Sequence, residues 1–184
     1  MRLSKPRIPP VEESEFTEEI REIVPPRAGG GRPLNVFTTI ARHPKLLKRW
    51  LVFAGHILGK STLSPRAREL LILRTGWLCR SEYEWGQHAA IGRMAGLSDE
   101  EIRRITVGPD APGWEPFDEA LLRAADELHE DSMIGEHTWT TLSAVYDTHQ
   151  MMDVVFTVGQ YTLVSMALNT FGVQLDDGIE GFPR

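Results

Sequence analysis

The chain has 184 residues, 41% hydrophobic and 25% charged, which is the composition of one ordinary globular domain. Its formal charge of -6, with no long basic run, excludes a surface built to neutralise a nucleic-acid backbone. One cysteine cannot form an internal disulfide, and no apolar stretch follows the first charged residues, so we expect a cytoplasmic protein without a secretory signal.

An N-terminal arm precedes the helical part of the chain. Residues 1–33 are rich in proline and charge, with one short helix candidate, "EFTEEIREIV", before the breaker cluster "PPRAGGGRP". No strand precedes this glycine run and no GKS or GKT sequence follows it, so it predicts a flexible linker rather than a phosphate-binding loop. We therefore divide the chain into an arm and linker over residues 1–33 and a helical domain over residues 34–184.

Almost every segment after the linker has helical periodicity. Pro44 separates a short helix from a longer one, and Ser64 followed by Pro65 has the preferred order for a helix start. The apolar stretch from residue 151 to 168 contains charged and polar residues and is barely long enough to cross a bilayer, so it predicts a core helix and no membrane. Without apolar/polar alternation anywhere, the fold class is all-α.

Two further helix starts have the spacing of a capping box. Ser81 with Glu84, and Ser98 with Glu101, place a hydroxyl and a carboxylate three residues apart. We expect each serine to accept a hydrogen bond from the amide three residues on, while each glutamate reaches back to the serine amide.

The stretch "SEYEWGQH", which begins at Ser81, concentrates side chains that can move protons. Glu84 and His88 are four residues apart and share a helix face. Glu69 lies on the preceding helix, nineteen residues before His88, and a short connection lays the two helices antiparallel. An imidazole between two desolvated carboxylates can exchange protons near neutral pH. Plainer interpretations are capping for Glu84, core hydrogen bonding for His88, a salt bridge for Glu69 and packing for Tyr83.

The segments "PLNVFTTIARHP", "LSPRARELLILRTGW" and "YEWGQHAAIGRMAGLSDEEI" resemble the carboxymuconolactone decarboxylase superfamily, which also contains the AhpD-like alkylhydroperoxidases. The similarity runs from about residue 34 to 172. It implies a single-domain AhpD-like helical bundle and association into homo-trimers or homo-hexamers. In the redox branch a CxxC pair stands where this chain has Ser81 and Glu84, whereas Glu69 and His88 match. The chain therefore resembles a branch that lacks the CxxC pair.

The resemblance implies a lyase of the decarboxylase type, acting on a small lactone or carboxylate in aromatic-compound catabolism. Loss of carbon dioxide leaves electron density that needs a donor near the carbonyl oxygen and a general acid near the carbon. On this interpretation His88 carries the proton, Glu69 orients it, and Tyr83 or Glu84 is the second donor. No metal or other cofactor is expected, since the remaining histidines lack ligand spacing.

Two alternatives stay open. One is an alkylhydroperoxidase or peroxiredoxin-type antioxidant enzyme that uses the single Cys79 with an external thiol; a missing partner cysteine weighs against it. The other is a helical oligomer without catalytic activity, because a fold does not determine a function.

Overall fold

Nine α-helices and no strand make up the described part of this computed structural model, which covers residues 2–27 and 29–183. The all-α prediction is confirmed. A short 3₁₀ turn, Glu13–Glu15, precedes the first helix. In chain order the helices are α1 (Glu18–Ile23), α2 (Asn35–Ile40), α3 (Pro44–Gly59), α4 (Pro65–Leu78), α5 (Glu82–Met94), α6 (Asp99–Val107), α7 (Pro116–Glu130), α8 (Glu136–Ser143) and α9 (Thr148–Phe171).

Helix α4 lies at the centre of the bundle. Four consecutive residues, Leu70 to Leu73, are fully buried, as expected of a helix that is apolar on every side. Helices α5, α7 and α9 pack around it. Because α4 is enclosed, a charged side chain on it, such as Glu69, is removed from water and needs a partner.

A tight connection folds α5 back along α4. Helix α4 starts as predicted, with Ser64 accepting a hydrogen bond from the Ala67 amide and Pro65 in the first position. It ends at Cys79, and Arg80 takes a left-handed conformation with φ 50° before α5 begins. Gly92 permits a close approach of the two helices, since a Cβ there would lie 3.3 Å from Leu73 Cδ1. The result is an antiparallel pair.

The two predicted capping boxes have different outcomes. At α6 the box forms: Ser98 accepts from the Glu101 amide, and Glu101 accepts from the Ser98 amide. At α5 the prediction is wrong, because the Ser81 hydroxyl is buried without a hydrogen bond and Glu84 lies beside His88 instead. The physical reason is burial. A carboxylate enclosed by the bundle is stabilised more by a neighbouring imidazolium than by a backbone amide.

The N-terminal arm packs against α2 and α3. Val11, Ile20 and Val24 are buried in one apolar cluster with Ala41 and Leu47. Of the predicted linker, Ala28 lies outside the described residues, and the three glycines after it have positive φ angles. The division into arm and domain stays a prediction.

Helix α9 is, in the described ranges, the one helix long and apolar enough to cross a membrane. It packs on α4 and α7, and its buried Asp153 accepts hydrogen bonds from Ser61 and Thr62. These contacts are typical of a core helix. Its outer face carries exposed apolar side chains, among them Phe156, Leu163 and Met166. Association into trimers or hexamers and a cytoplasmic location both stay predictions.

Candidate active site

Three buried side chains from α4 and α5 form a chain of polar contacts. Glu69 Oε2 lies 2.6 Å from His88 Nδ1, and Glu84 Oε1 lies 3.0 Å from His88 Nε2. Glu69 is fully buried, and the other two residues are less than a tenth exposed. The structure thus brings together three of the four residues that the sequence singled out.

Arg68 completes the charge balance of this chain. Its Nε lies 3.1 Å from Glu69 Oε1, so the two carboxylate oxygens of Glu69 face different partners, Arg68 and His88. Charges therefore alternate along Arg68, Glu69, His88 and Glu84. With His88 protonated, each positive group in this row lies beside a negative one, which offsets the cost of burying them.

The two carboxylates determine the protonation of His88. Burial alone lowers the pKa of the imidazole, but the charge and hydrogen bond of Glu69, followed by those of Glu84, outweigh it and raise the pKa to about 9. The Tyr161 ring contacts the His88 ring edge-on, with 4.9 Å between centroids. Burial, and then the charge of Glu84, raise the pKa of Tyr161 well above its usual range.

An apolar cavity of about 430 Å³ opens beside the Glu84–His88 pair. This volume is within the range of small-molecule sites. Helices α2, α3, α5 and α9 and the segment after α1 supply its walls. The lining residues are mostly apolar; the polar or titratable ones are Trp50, Tyr83, Glu84, Gln87, His88, Gln160 and Tyr161.

Tyr83, the fourth predicted site residue, lies at the cavity wall, but its hydroxyl is bound elsewhere. It donates to Asp176 Oδ2 at 2.5 Å and accepts from the Val36 amide at 3.2 Å. Gln87 donates to the same Asp176 oxygen, and Asp176 Oδ1 accepts from the Asn35 amide. Burial, followed by the charge of Asp176, raises the pKa of Tyr83 far above its usual range. Tyr83 therefore joins α2, α5 and the C-terminal segment.

Comparison with protein families finds a match over part of the chain. The family model described as "Carboxymuconolactone decarboxylase family" matches residues 44–127, which span α3 to most of α7 and include Glu69, Glu84 and His88. The matched segment is less than half of the chain, so it shows a similarity to that family over residues 44–127. A comparison with curated proteins found no match.

Solved structures with the AhpD-like fold are similar to this chain over most of its length. An uncharacterised peroxidase-related protein with an alkylhydroperoxidase AhpD core, from Ralstonia eutropha JMP134, is 21% identical, with a TM-score of 0.81 over 94% of this chain and 93% of that one. A putative antioxidant defence protein AhpD from Agrobacterium tumefaciens is 18% identical, with a TM-score of 0.69 over 74% and 94%. A cysteine-to-alanine variant of the debrominase Bmp8, in complex with 2,3,4-tribromopyrrole, is 9% identical, with a TM-score of 0.75 over 95% and 94%.

The chain has one cysteine, Cys79, which is not among the described residues that line the cavity. It forms the C-terminal cap of α4, and its Sγ is 3.8 Å from His129 Nδ1. Burial raises the pKa of the thiol, which disfavours the reactive thiolate. The positions of the absent CxxC pair carry Ser81, which has no hydrogen bond, and Glu84, which contacts His88.

Sequence reasoning missed four polar or titratable residues of the cavity wall: Trp50 on α3, Gln87 on α5, and Gln160 and Tyr161 on α9. The sequence contained an indication for Gln160 alone, because this polar residue interrupts an otherwise apolar helix. In the described ranges, no three His, Cys, Asp or Glu side chains are arranged to hold a metal ion. The expectation that the protein needs no metal or cofactor stays a prediction.

Proposed function

We propose that this protein is a cofactor-free enzyme that transfers protons on a small, neutral lactone or related carbonyl compound. The observation that carries the proposal is His88, held between Glu69 and Glu84 beside an apolar cavity. Paired carboxylates around an imidazole are suited to general acid–base catalysis, and the cavity has the volume and lining for a small molecule.

Each residue of the cluster has a distinct part in the proposed reaction. Glu84 removes a proton from the carbon next to the substrate carbonyl, and the electron pair of the broken C–H bond moves to the carbonyl oxygen. Once Glu84 holds the proton it no longer balances the charge of protonated His88, so His88 offsets the new negative charge on the substrate until Glu84 returns the proton to the same or a conjugated carbon. Glu69 keeps Nδ1 of His88 occupied, so that Nε2 faces Glu84. Such acid–base assistance contributes roughly 10²- to 10⁴-fold to a rate.

The charges around the cavity favour the lactone over a free carboxylate. The lining contains no lysine or arginine among the described residues, and both nitrogens of His88 already face carboxylates. A substrate carboxylate would enter beside Glu84 without a cation to pair with, which is costly in an apolar site. We therefore narrow the expected substrate to a neutral compound. Decarboxylation starts from a carboxylate and is therefore disfavoured by this proposal, whereas a place in aromatic catabolism stays a prediction.

The peroxidase alternative has less support. Cys79 is no part of the described cavity lining, and its burial opposes thiolate formation. A hydroperoxide reaction at Cys79 would also make no use of the Glu69–His88–Glu84 cluster.

Deuterium exchange tests the proposal directly. Dihydrocoumarin and unsaturated five-membered lactones are incubated in D₂O, and ¹H NMR follows exchange at the carbon next to the carbonyl. We expect the wild-type protein to accelerate exchange, His88→Gln and Glu84→Gln to lose at least about 100-fold of it, and the control Cys79→Ser to keep it. Exchange no faster than in buffer for every lactone contradicts the proposal, as does hydroperoxide turnover that disappears in Cys79→Ser.

A further inference from the structure

Two polar side-chain atoms of residues in the cavity wall lack hydrogen-bond partners among the described residues. Trp50 Nε1 and Gln160 Oε1 are buried, and neither has a hydrogen-bond partner within residues 2–27 and 29–183. Gln160 is only 4% exposed. Buried polar groups are nearly always paired in folded proteins, so each such group needs an explanation. Three other buried atoms share this property, on Ser81, Thr157 and Ser165, but those residues do not line the cavity.

The two side chains belong to different walls. Trp50 comes from α3, where its ring packs against Phe37 with 6.1 Å between centroids, so the indole has a defined position. Gln160 comes from α9 and directly precedes Tyr161, whose ring contacts His88. Both residues line the cavity together with Glu84 and His88, so a molecule in it is bordered by three helices, α3, α9 and α5.

We propose that Trp50 and Gln160 bind the substrate of this site, which is a neutral lactone or related carbonyl compound that also carries a hydroxyl group. This inference rests on the proposed function and adds the chemical class of the substrate. An indole N–H can only donate, so its partner is an acceptor, the carbonyl oxygen. The free oxygen of Gln160 accepts, so its partner is the hydroxyl group of the same molecule.

The remainder of the cavity excludes other ligand classes. A hydrocarbon would leave the Trp50 and Gln160 atoms unpaired, which disfavours its binding. An anion would meet Glu84 with no lysine or arginine among the described lining residues. The apolar lining suits the carbon frame of the ligand; it includes Leu51, Ala54, Leu58, Ile91 and Val164.

A series of three kinds of ligand separates the Trp50 contact with the carbonyl oxygen from the Gln160 contact with the hydroxyl group. The ligands are dihydrocoumarin, its singly hydroxylated forms, and chroman, which lacks the carbonyl. Affinities are measured by isothermal titration calorimetry at pH 6.5, where the phenols are neutral. We expect at least one hydroxylated form to bind about tenfold more tightly than dihydrocoumarin, and dihydrocoumarin about tenfold more tightly than chroman. Equal affinities across the series, or no binding by any hydroxylated form, overturn the inference.

Matched variants assign each preference to its residue. Gln160→Met should remove the hydroxyl preference and leave dihydrocoumarin affinity unchanged, whereas Trp50→Phe should weaken dihydrocoumarin but not chroman. Gln160→Met removes an unpaired polar group at similar size, so its melting temperature should stay equal or rise, and a clear fall would indicate a structural role for Gln160 and overturn the inference. Trp50→Phe also removes ring atoms that pack, so a small fall in its melting temperature is expected for that reason alone.

Failure of this inference can be distinguished from failure of the proposed function. If the protein accelerates deuterium exchange but binds hydroxylated and plain lactones equally, only the proposed substrate class is contradicted. The expected binding pattern without exchange contradicts the proton-transfer function and leaves the binding assignment in place.

Discussion

Glu69 fixes His88 from the neighbouring helix, with 2.6 Å between Glu69 Oε2 and His88 Nδ1 and almost no solvent access to either side chain. The contact is a positioning interaction as well as an ionic one, because it leaves Nε2 as the ring nitrogen that faces Glu84. Because of this contact, protonated His88 stabilises the bundle. The stability that is lost when His88 deprotonates at alkaline pH can be measured.

Stability should fall as the pH rises through the His88 titration. The folded-state pKa of His88 is raised to about 9 from an ordinary 6.5, so its contribution is complete below pH 6.5 and is lost as the pH rises through about 9. The difference corresponds to at most about 3 kcal/mol in the free energy of unfolding. Urea denaturation between pH 6 and 9.5 measures it. In His88→Gln the free energy of unfolding should not fall over this pH range. The same fall in that variant would assign the effect to another titrating group.

Glu69→Gln should be strongly destabilising. The substitution leaves Arg68 and His88 without their shared counter-charge in a buried setting, where breaking one ion pair costs about 3 to 5 kcal/mol. It should also lower the pKa of His88, which ¹H NMR of the imidazole follows. Asp99→Asn is the control: its ion pair with Arg93 is exposed to solvent, so its loss should have little effect on stability. Equal losses of unfolding free energy in the two variants would contradict the conclusion that Glu69 forms a buried ion pair.

The two serines at helix starts should respond differently to alanine. Ser98→Ala removes a formed capping box and should cost about 1 kcal/mol. Ser81→Ala removes a buried hydroxyl that has no hydrogen bond, so its effect on the free energy of unfolding should be close to zero. Thermal denaturation of both variants compares them. A loss of stability in Ser81→Ala as large as in Ser98→Ala would show that the Ser81 hydroxyl has a hydrogen-bond partner.

Tyr83→Phe should affect stability more than chemistry. It removes the hydrogen bond to Asp176, and bonds to charged groups contribute about 1.5 to 3 kcal/mol. Deuterium exchange on a lactone should fall less than about tenfold, against at least about 100-fold in Glu84→Gln. A loss of exchange as large as in Glu84→Gln, at unchanged stability, would make Tyr83 the catalytic donor.

Gly86→Ala should displace the C-terminal segment from α5. A Cβ at Gly86 would lie 2.5 Å from the carbonyl oxygen of Glu180 and 2.6 Å from Ile179 Cγ2, so the segment must move. We expect faster amide hydrogen exchange in residues 173–183 and a loss of about 1 to 3 kcal/mol. Gly159→Ala is the control, since its Cβ meets nothing within 4 Å and should stabilise α9 by about 0.5 to 1 kcal/mol. Unchanged exchange in Gly86→Ala would contradict the close contact.

The pairing of Glu69 with His88 was predictable because it is local. Two adjacent helices with a short connection must lie antiparallel, and the four-residue spacing of Glu84 and His88 decides which side chains share a face. Helix starts at Ser64 and Ser98 follow from similarly local chemistry. Such features depend on a few neighbouring residues rather than on the packing of the whole chain.

Contacts between distant segments could not be predicted from spacing. Trp50 and Gln160 reach one cavity from helices far apart in sequence, and Asp176 meets Tyr83 across 93 residues. The failed capping box at Ser81 has the same origin, since burial by other helices decides whether Glu84 contacts an amide or an imidazole. These outcomes depend on tertiary packing, which overrides local preference.

The bond between Tyr83 and Asp176 also sets an order of events during translation. At roughly 5 to 20 residues per second, the ribosome adds the 93 residues that separate them in about 5 to 20 s. Until Asp176 emerges, the nascent chain holds the Tyr83 hydroxyl and the Gln87 amide without this acceptor. A polypeptide released before that point can form its central helices, but the wall of the cavity that these groups support is left unanchored.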